Sequence, residues 1–185
     1  GGKYVVTNRH VVGSVKKVRL EFQVDNENKI YYGCSVLYAD VKRDVAIIAL
    51  PADADVVALK SESKMLKDGQ EVFTAGFPGL GGAPLWQLGK GIVSNAEVNT
   101  GLLGDKDSLL VIQHTAQVDA GNSGGPLLVQ QVVSGDTTYV VVGINTWKAF
   151  WRENTNFSTR IADLEDFIVS YEHKVSKSKT GIIFP

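Results

Sequence analysis

Apolar and polar residues alternate along much of this chain with the period of two expected of half-buried strands. Within Lys16 to Val24 the pattern is carried by Val18, Leu20, Phe22 and Val24. Lys3 to Thr7 is rich in β-branched and aromatic residues and predicts a strand, broken by Asn8, Arg9 and His10 and closed by Gly13. Asp25 to Asn28 has turn chemistry. Strands are then expected over Ile30 to Tyr38 and, after a charged connection from Asp40 to Asp44, over Val45 to Leu50. Four strands thus precede a polar stretch over 52–69, which predicts a linker. Glu71 to Ala75 predicts a strand and Gly76 to Pro84 a surface loop. Leu85 to Val98 predicts a long strand bent at Gly89 and Gly91, where glycine marks a bulge. Ser108 to Val118, Leu127 to Val133, Thr138 to Trp147 and Thr155 to Ile161 supply further strands. Asp163 is placed to cap a short helix to about Glu172, with Leu164, Phe167, Ile168 and Tyr171 on one face. Many short strands and one terminal helix indicate an all-β barrel or sandwich.

Composition narrows the function classes. Hydrophobic residues at 44% and charged ones at 21% are values of a globular chain, and 185 residues can bury a real core. Nineteen Lys and Arg against twenty Asp and Glu leave no basic surplus to favour nucleic acid or an anionic membrane. No apolar run reaches the length of a membrane span, and no signal peptide is recognisable. The single Cys34 excludes an internal disulfide and a cysteine-based zinc site. The Gly76 to Pro84 loop fits neither phosphate-binding glycine pattern.

The stretch with most chemical content is Gly121-Asn122-Ser123-Gly124-Gly125-Pro126-Leu127. Glycines allow a sharp turn and close approach of a substrate carbonyl to the backbone. The N–H groups of Gly121 and Ser123 can then converge where an oxyanion develops. A tight turn between strands would use the same residues, so the spacing alone does not decide. An α/β-hydrolase elbow would need a helix next and its acid and histidine downstream. The residues that follow are β-prone, and only His173 lies downstream, so partners must lie upstream. His10 ends a strand in a polar break, where its ring can face a cleft. Asp44 stands directly before an apolar strand, where a carboxylate can be partly buried and still reach a histidine. Taken singly, each is more often structural or solvated; His10, Asp44 and Ser123 together make a nucleophile, base and orienting acid.

The segments Thr7-Asn8-Arg9-His10-Val11-Val12, Arg43 to Leu50 and Gly121 to Leu127 resemble the three signatures of trypsin-like serine proteases, in the HtrA/Deg-type branch. Phe77-Pro78-Gly79, Gly91 to Ser94 and Gly143 to Thr146 are also similar to Deg-type segments. The resemblance covers about residues 3–172 and implies an all-β fold of two six-stranded antiparallel barrels with a C-terminal helix. The chain begins at what resembles the third strand, so the first barrel is expected to lack its first two. The implied organisation is an incomplete barrel over 1–58, a linker over 59–69, a second barrel over 70–161, a helix over 162–173 and a tail over 174–185. Ser123 would be the nucleophile, His10 the general base and then acid, and Asp44 the orienting carboxylate, with Gly121 and Ser123 forming the oxyanion hole.

By the same resemblance, Gln117, Val118 and Thr146 would line the specificity pocket, with Trp147 and Lys148 at its rim. Gln117 is not acidic, which disfavours a Lys or Arg preference. A small or medium apolar residue is favoured, and Lys148 keeps an acidic preference open. Asp119 is expected to be solvated, His114 and His173 to be structural or surface residues, and Trp86, Trp147 and Trp151 to serve barrel packing. Asn122 cannot form the ion pair by which a new N-terminus activates digestive relatives. No segment after residue 172 is long enough for a PDZ domain. The implied function is a serine endopeptidase, needing no metal or cofactor, acting on unfolded polypeptides in a periplasmic or extracellular space, in a group where homotrimers are common. Activity is expected to rise with pH as His10 loses its proton. A catalytically silent peptide-binding module of the same fold is the alternative, motivated by the shortened first barrel, and an esterase would use the same three residues.

Overall fold

A computed structural model describes residues 3–24, 27–80, 82–104, 106, 108–149, 152–165, 168–169 and 182–183. The N-terminal part is one sheet. Strand β1 (Lys3–Thr7) leads into a single helical turn, α1 (Arg9–Val12), followed by β2 (Lys17–Val24), β3 (Glu27–Asp40) and β4 (Val45–Leu50). Their order is β1-β4-β3-β2, all antiparallel, with register shifts between Val18 and Leu20 in β2 and between Val36 and Tyr38 in β3. The inner face buries Val5, Leu20, Phe22, Cys34, Ala46 and Ile48. The four expected strands are present, but β3 begins at Glu27, inside the stretch expected to be a turn, because Glu27 and Asn28 pair with Val24 and Gln23.

The expected linker carries a short strand, β5 (Lys60–Ser61), parallel to the later strand through Val140 and Val141. Next come β6 (Glu71–Gly76), a small hairpin of β7 (Gly79–Leu80) and β8 (Ala83–Pro84), and the long β9 (Gln87–Asn99). A 3₁₀ turn (Thr100–Leu103) precedes β10 (Leu110–His114), β11 (Pro126–Val133), β12 (Asp136–Lys148) and β13 (Asn156–Arg160). The order β11-β6-β9-β10-β13-β12 closes on itself through β11 and β12, giving a six-stranded barrel. Closure gives each of these six strands a neighbour on both sides. The interior holds Val72, Val93, Ile112, Leu127, Val129, Val140 and Val142.

Successive residues of β1 face opposite ways: Val5 enters the first core, while Val6 joins Val45, Phe73, Leu128, Ile144, Ile161 and Leu164 in a cluster between sheet and barrel. This shared apolar layer fixes the position of the end of β1 against the barrel, and with it the two halves of the candidate site. The long apolar run of β4 reflects burial on both faces rather than one.

Other differences from the sequence expectations have physical causes. Gly89 and Gly91 do not bulge; the β6–β9 register runs without a shift from Glu71 paired with Ile92 to Gly76 paired with Gln87. Gly91 serves close approach instead, since a Cβ there would lie 2.1 Å from the Ala116 nitrogen. The register shifts fall between β9 and β10, around Gln113. Strand β10 ends at His114, because the chain then turns to carry the Gly121 loop. The terminal helix starts at 161, so Asp163 lies within it and binds the Arg160 guanidinium (2.8 and 3.0 Å) instead of capping it. Leu164 is fully buried, as its expected face requires; Phe167, Tyr171 and His173 fall outside the described residues. From the tail, Ile182 and Ile183 form β14, parallel to β1 opposite Tyr4 and Val5. Among the described residues no helix is long and apolar enough to cross a membrane, and no group of three metal-binding side chains occurs.

Candidate active site

Asp40 begins the construction of the site. Its carboxylate accepts a hydrogen bond from the Arg43 N–H (2.8 Å) and pairs with the Arg43 guanidinium (3.0 Å), bending the chain between β3 and β4. The turn ends at Asp44 with φ of +53°, a left-handed conformation costly for a residue with a side chain. Its carbonyl is held by two donors, the Asn8 amide (3.0 Å) and the Arg9 N–H (3.1 Å). Asn8 therefore precedes α1 without capping it, its side chain bound to Asp44 instead.

This geometry aims the Asp44 carboxylate at His10. One oxygen accepts the His10 backbone N–H (2.8 Å), and the other lies 2.6 Å from the ring Nδ1. An ionised carboxylate only accepts, so Nδ1 carries the proton and Nε2 presents its lone pair. Nε2 has no hydrogen-bond partner among the described residues, and the imidazole side chain is about half exposed (48%). The pair is thus an oriented base, open on the side where a proton can be taken.

Ser123 comes from the barrel, on the loop between β10 and β11. Gly124 has φ of +82°, and a Cβ there would lie 2.0 Å from the Thr7 hydroxyl and 2.9 Å from the Asn8 nitrogen. The loop therefore rests on the residues that lead into His10, a contact only glycine permits. Gly121 has φ of +108°, and a Cβ there would meet the Phe77 carbonyl at 2.4 Å. The N–H groups of Gly121 and Ser123 donate to no acceptor among the described residues, as an oxyanion site requires. The Ser123 hydroxyl makes no hydrogen bond to His10 or to any other described residue. Asn122 is buried, its amide near the Gln117 carbonyl (3.4 Å).

Sequence reasoning passed over the device that holds this loop. The Gly124 N–H donates to the Asn145 carbonyl (2.8 Å), and the Asn145 N–H to the Gly125 carbonyl (2.9 Å). The Asn145 amide donates to the Pro126 carbonyl (3.1 Å) and accepts from the Ser158 hydroxyl (3.1 Å). Ser158 in turn lies 2.9 Å from Nε2 of the fully buried His114, which must then be the donor. Burial pushes the His114 imidazole down to about 4, only partly offset by a backbone contact at Ala116. His114 is structural, as expected, but it belongs to the support of the Ser123 loop. The signal available in sequence was a polar residue, Asn145, interrupting the apolar run Val140 to Ile144.

A groove of about 700 Å³ adjoins the loop, lined by Gln117, Val118, Asp119, Lys148 and the 152–156 turn. Three of the five expected substrate-contacting residues, Gln117, Val118 and Lys148, line it. Thr146 is buried, its hydroxyl bonded to the Ile144 carbonyl (2.9 Å) and to Thr159 (3.0 Å), and Trp147 stacks on Phe157 with ring centroids 5.2 Å apart. Asp119 is paired with Lys148 (2.7 Å) and bonded to Gln117, and the Lys148 ammonium holds its carboxyl below the usual range. Its side chain stays about one third exposed (33%). Pairing between β11 and β12 reaches Ile144 at this end, so residues 146–148 have β13 on one side and, among the described residues, an open edge on the other.

A closed barrel, a second antiparallel sheet packed against it and a short C-terminal helix define the trypsin-like fold. A family model described as a trypsin-like peptidase domain matches residues 1–144. The chain belongs to the trypsin-like peptidase family, and among curated proteins it is similar to HtrA serine proteases. It is 33% identical over 181 residues to the rat serine protease HTR4, covering 96% of this chain and 34% of that protein. It is 30% identical to the serine protease Do-like HtrA of Bacillus subtilis, covering 80% and 31%. Among solved structures, the Rv3671c protease of M. tuberculosis H37Rv in an inactive form is similar at a TM-score of 0.67 and 23% identity, covering 89% of this chain and 77% of that one. A serine endoprotease of Yersinia pestis is similar at 0.65 and 23%, covering 90% and 53%. The chain spans about a third of the length of the curated relatives it matches.

Proposed function

We propose that this chain hydrolyses peptide bonds with Ser123 as nucleophile, His10 as general base and then acid, and Asp44 as the orienting carboxylate. The observation that carries the reading is the double engagement of Asp44 with His10, at 2.8 and 2.6 Å, beside a glycine-bounded serine. As Ser123 Oγ attacks the carbonyl carbon, its proton passes to His10 Nε2. The carbonyl oxygen takes up negative charge against the Gly121 and Ser123 N–H groups. His10 then protonates the departing amine as the C–N bond breaks. Water, deprotonated by the same ring, releases the acyl group and restores Ser123.

Substrate would lie extended along the open edge at residues 146–148, adding a strand to β12 between the N-terminal unit, 1–58, and the barrel unit, 70–161. Lys148 spends its charge on Asp119, which supports an uncharged residue in the groove and weakens the case for an acidic one. By resemblance to HtrA proteases, the substrates are unfolded polypeptides met in an envelope or extracellular space, and a homotrimer is the assembly in keeping with that group. A silent peptide-binding module is the second reading, favoured by the unbonded Ser123 hydroxyl; catalytic hydrogen bonds of free enzymes are often long and tighten on substrate binding. Release of labelled fragments from an unfolded protein, abolished by Ser123→Ala, is the expected result. Binding without hydrolysis in both forms would support the silent module.

A further inference from the structure

Between Gly76 and Gly89 the chain contains no charged residue, in a protein where charged residues make up 21%. This stretch is the β7–β8 hairpin with its flanks, closed by the Leu85 N–H donating to the Pro78 carbonyl (3.2 Å). It leaves three large apolar side chains in water: Leu85 at 53% exposure, Trp86 at 58% and Leu88 at 48%. Trp86 is held by an edge-to-face contact with Phe77, centroids 5.5 Å apart. Exposed apolar clusters of this kind mark binding surfaces.

The hairpin's position identifies what it binds. Its base is joined to the oxyanion loop, the Phe77 N–H donating to the Gly121 carbonyl (3.3 Å), with Pro78 packed where a Gly121 side chain would stand. The other end of the same loop is held by β12, through the Asn145 bonds to Gly124 and Gly125. A substrate whose carbonyl oxygen sits at the Gly121 and Ser123 N–H groups has two arms. If the acyl arm follows the open edge at 146–148, the amine arm leaves across Gly121, toward the hairpin.

We propose that Trp86 and Leu85 form a subsite for an apolar or aromatic side chain on the leaving-group side of the scissile bond. The inference rests on the reading of Ser123 as nucleophile and adds a substrate preference to it. That subsite is also where an incoming amine binds when it, rather than water, resolves the acyl-enzyme. In that step the amine nitrogen bonds to the acyl carbon, the carbon–Oγ bond breaks, and the amine proton returns through His10 to Ser123 Oγ. Partition of the acyl group between amine and water therefore reads the subsite without involving the acyl arm.

The test uses the whole chain acylated by a small p-nitrophenyl ester, with amides of phenylalanine, leucine and glycine at equal concentration as competing amines. Phenylalaninamide is expected to capture about tenfold more acyl group than glycinamide, the discrimination an apolar pocket gives. Trp86→Ala should reduce that ratio to within about twofold, and Leu85→Ser should reduce it part of the way. Leu102→Ala, a control at an apolar residue exposed at 86%, should leave the ratio intact. Equal capture of all amines by the unmodified chain, or an undiminished preference in Trp86→Ala, overturns the subsite alone. Failure to form any acyl-enzyme overturns the reading of Ser123, and the subsite with it.

Discussion

The N-terminal sheet holds His10 and Asp44 by side-chain hydrogen bonds, whereas in the barrel the Ser123 side chain is bonded to no described residue and its loop is held by backbone. Two carboxylate oxygens, an imidazole and a strained Asp44 backbone make the first half a preset unit. The second half is set by what cannot be there: no Cβ fits at Gly121 or Gly124, and Asn145 clamps the loop from β12. A base needs one tautomer and one direction, which hydrogen bonds supply. An oxyanion site needs free N–H groups, so the loop presenting them must be anchored through its carbonyls and through packing.

This contrast can be broken from either side. Asp44→Asn removes the charge that orients the imidazole while keeping its shape, and should lower kcat about 10⁴-fold with the fold intact. A loss under tenfold in peptide hydrolysis would show that the pair does not act as a unit. Gly124→Ala acts on the other half, through strain. Its φ of +82° and its contacts at Thr7 and Asn8 should cost about 2 kcal/mol in urea unfolding. Hydrolysis should fall with it, because the loop must lift from the end of β1. An unchanged urea midpoint would mean that the two halves do not touch as described.

A further effect, seen only as pH is varied, comes from His114. Its folded-state value of about 4 lies below the ordinary 6.5, so between these values the unfolded chain binds more protons and stability rises with pH. The contribution is complete above about pH 6.5 and is lost as pH falls toward 4, amounting to roughly 3 kcal/mol. His114→Gln should flatten that part of the stability–pH curve, measured by urea unfolding at pH 4 to 7. An unaltered slope would show that another group is responsible.

Much of this architecture was legible in the chain. Strands with one buried face, such as Lys17–Val24, announce themselves by alternation, and the segments around His10, Asp44 and Ser123 stand out because each interrupts a strand pattern with chemistry. Less legible were features created by distant packing. Lys60–Ser61 has no apolar pattern and is a strand only because β12 is beside it. Gly91 resembles a bulge residue until Ala116 is seen against it. Trp86, expected in the barrel packing, is exposed on the hairpin, while Trp147 does pack, on Phe157. Asn145 and His114 gained their roles from neighbours 44 residues apart or less in sequence but joined only across strands.

The most direct measurement is the intact mass of the chain after exposure to a fluorophosphonate, beside Ser123→Ala. One covalent adduct on the unaltered chain and none on the variant is the expected result, since the reagent needs an activated serine with its oxyanion donors in place. A folded chain that takes up no adduct, or a variant that still does, would contradict the assignment of Ser123, His10 and Asp44 as one catalytic unit.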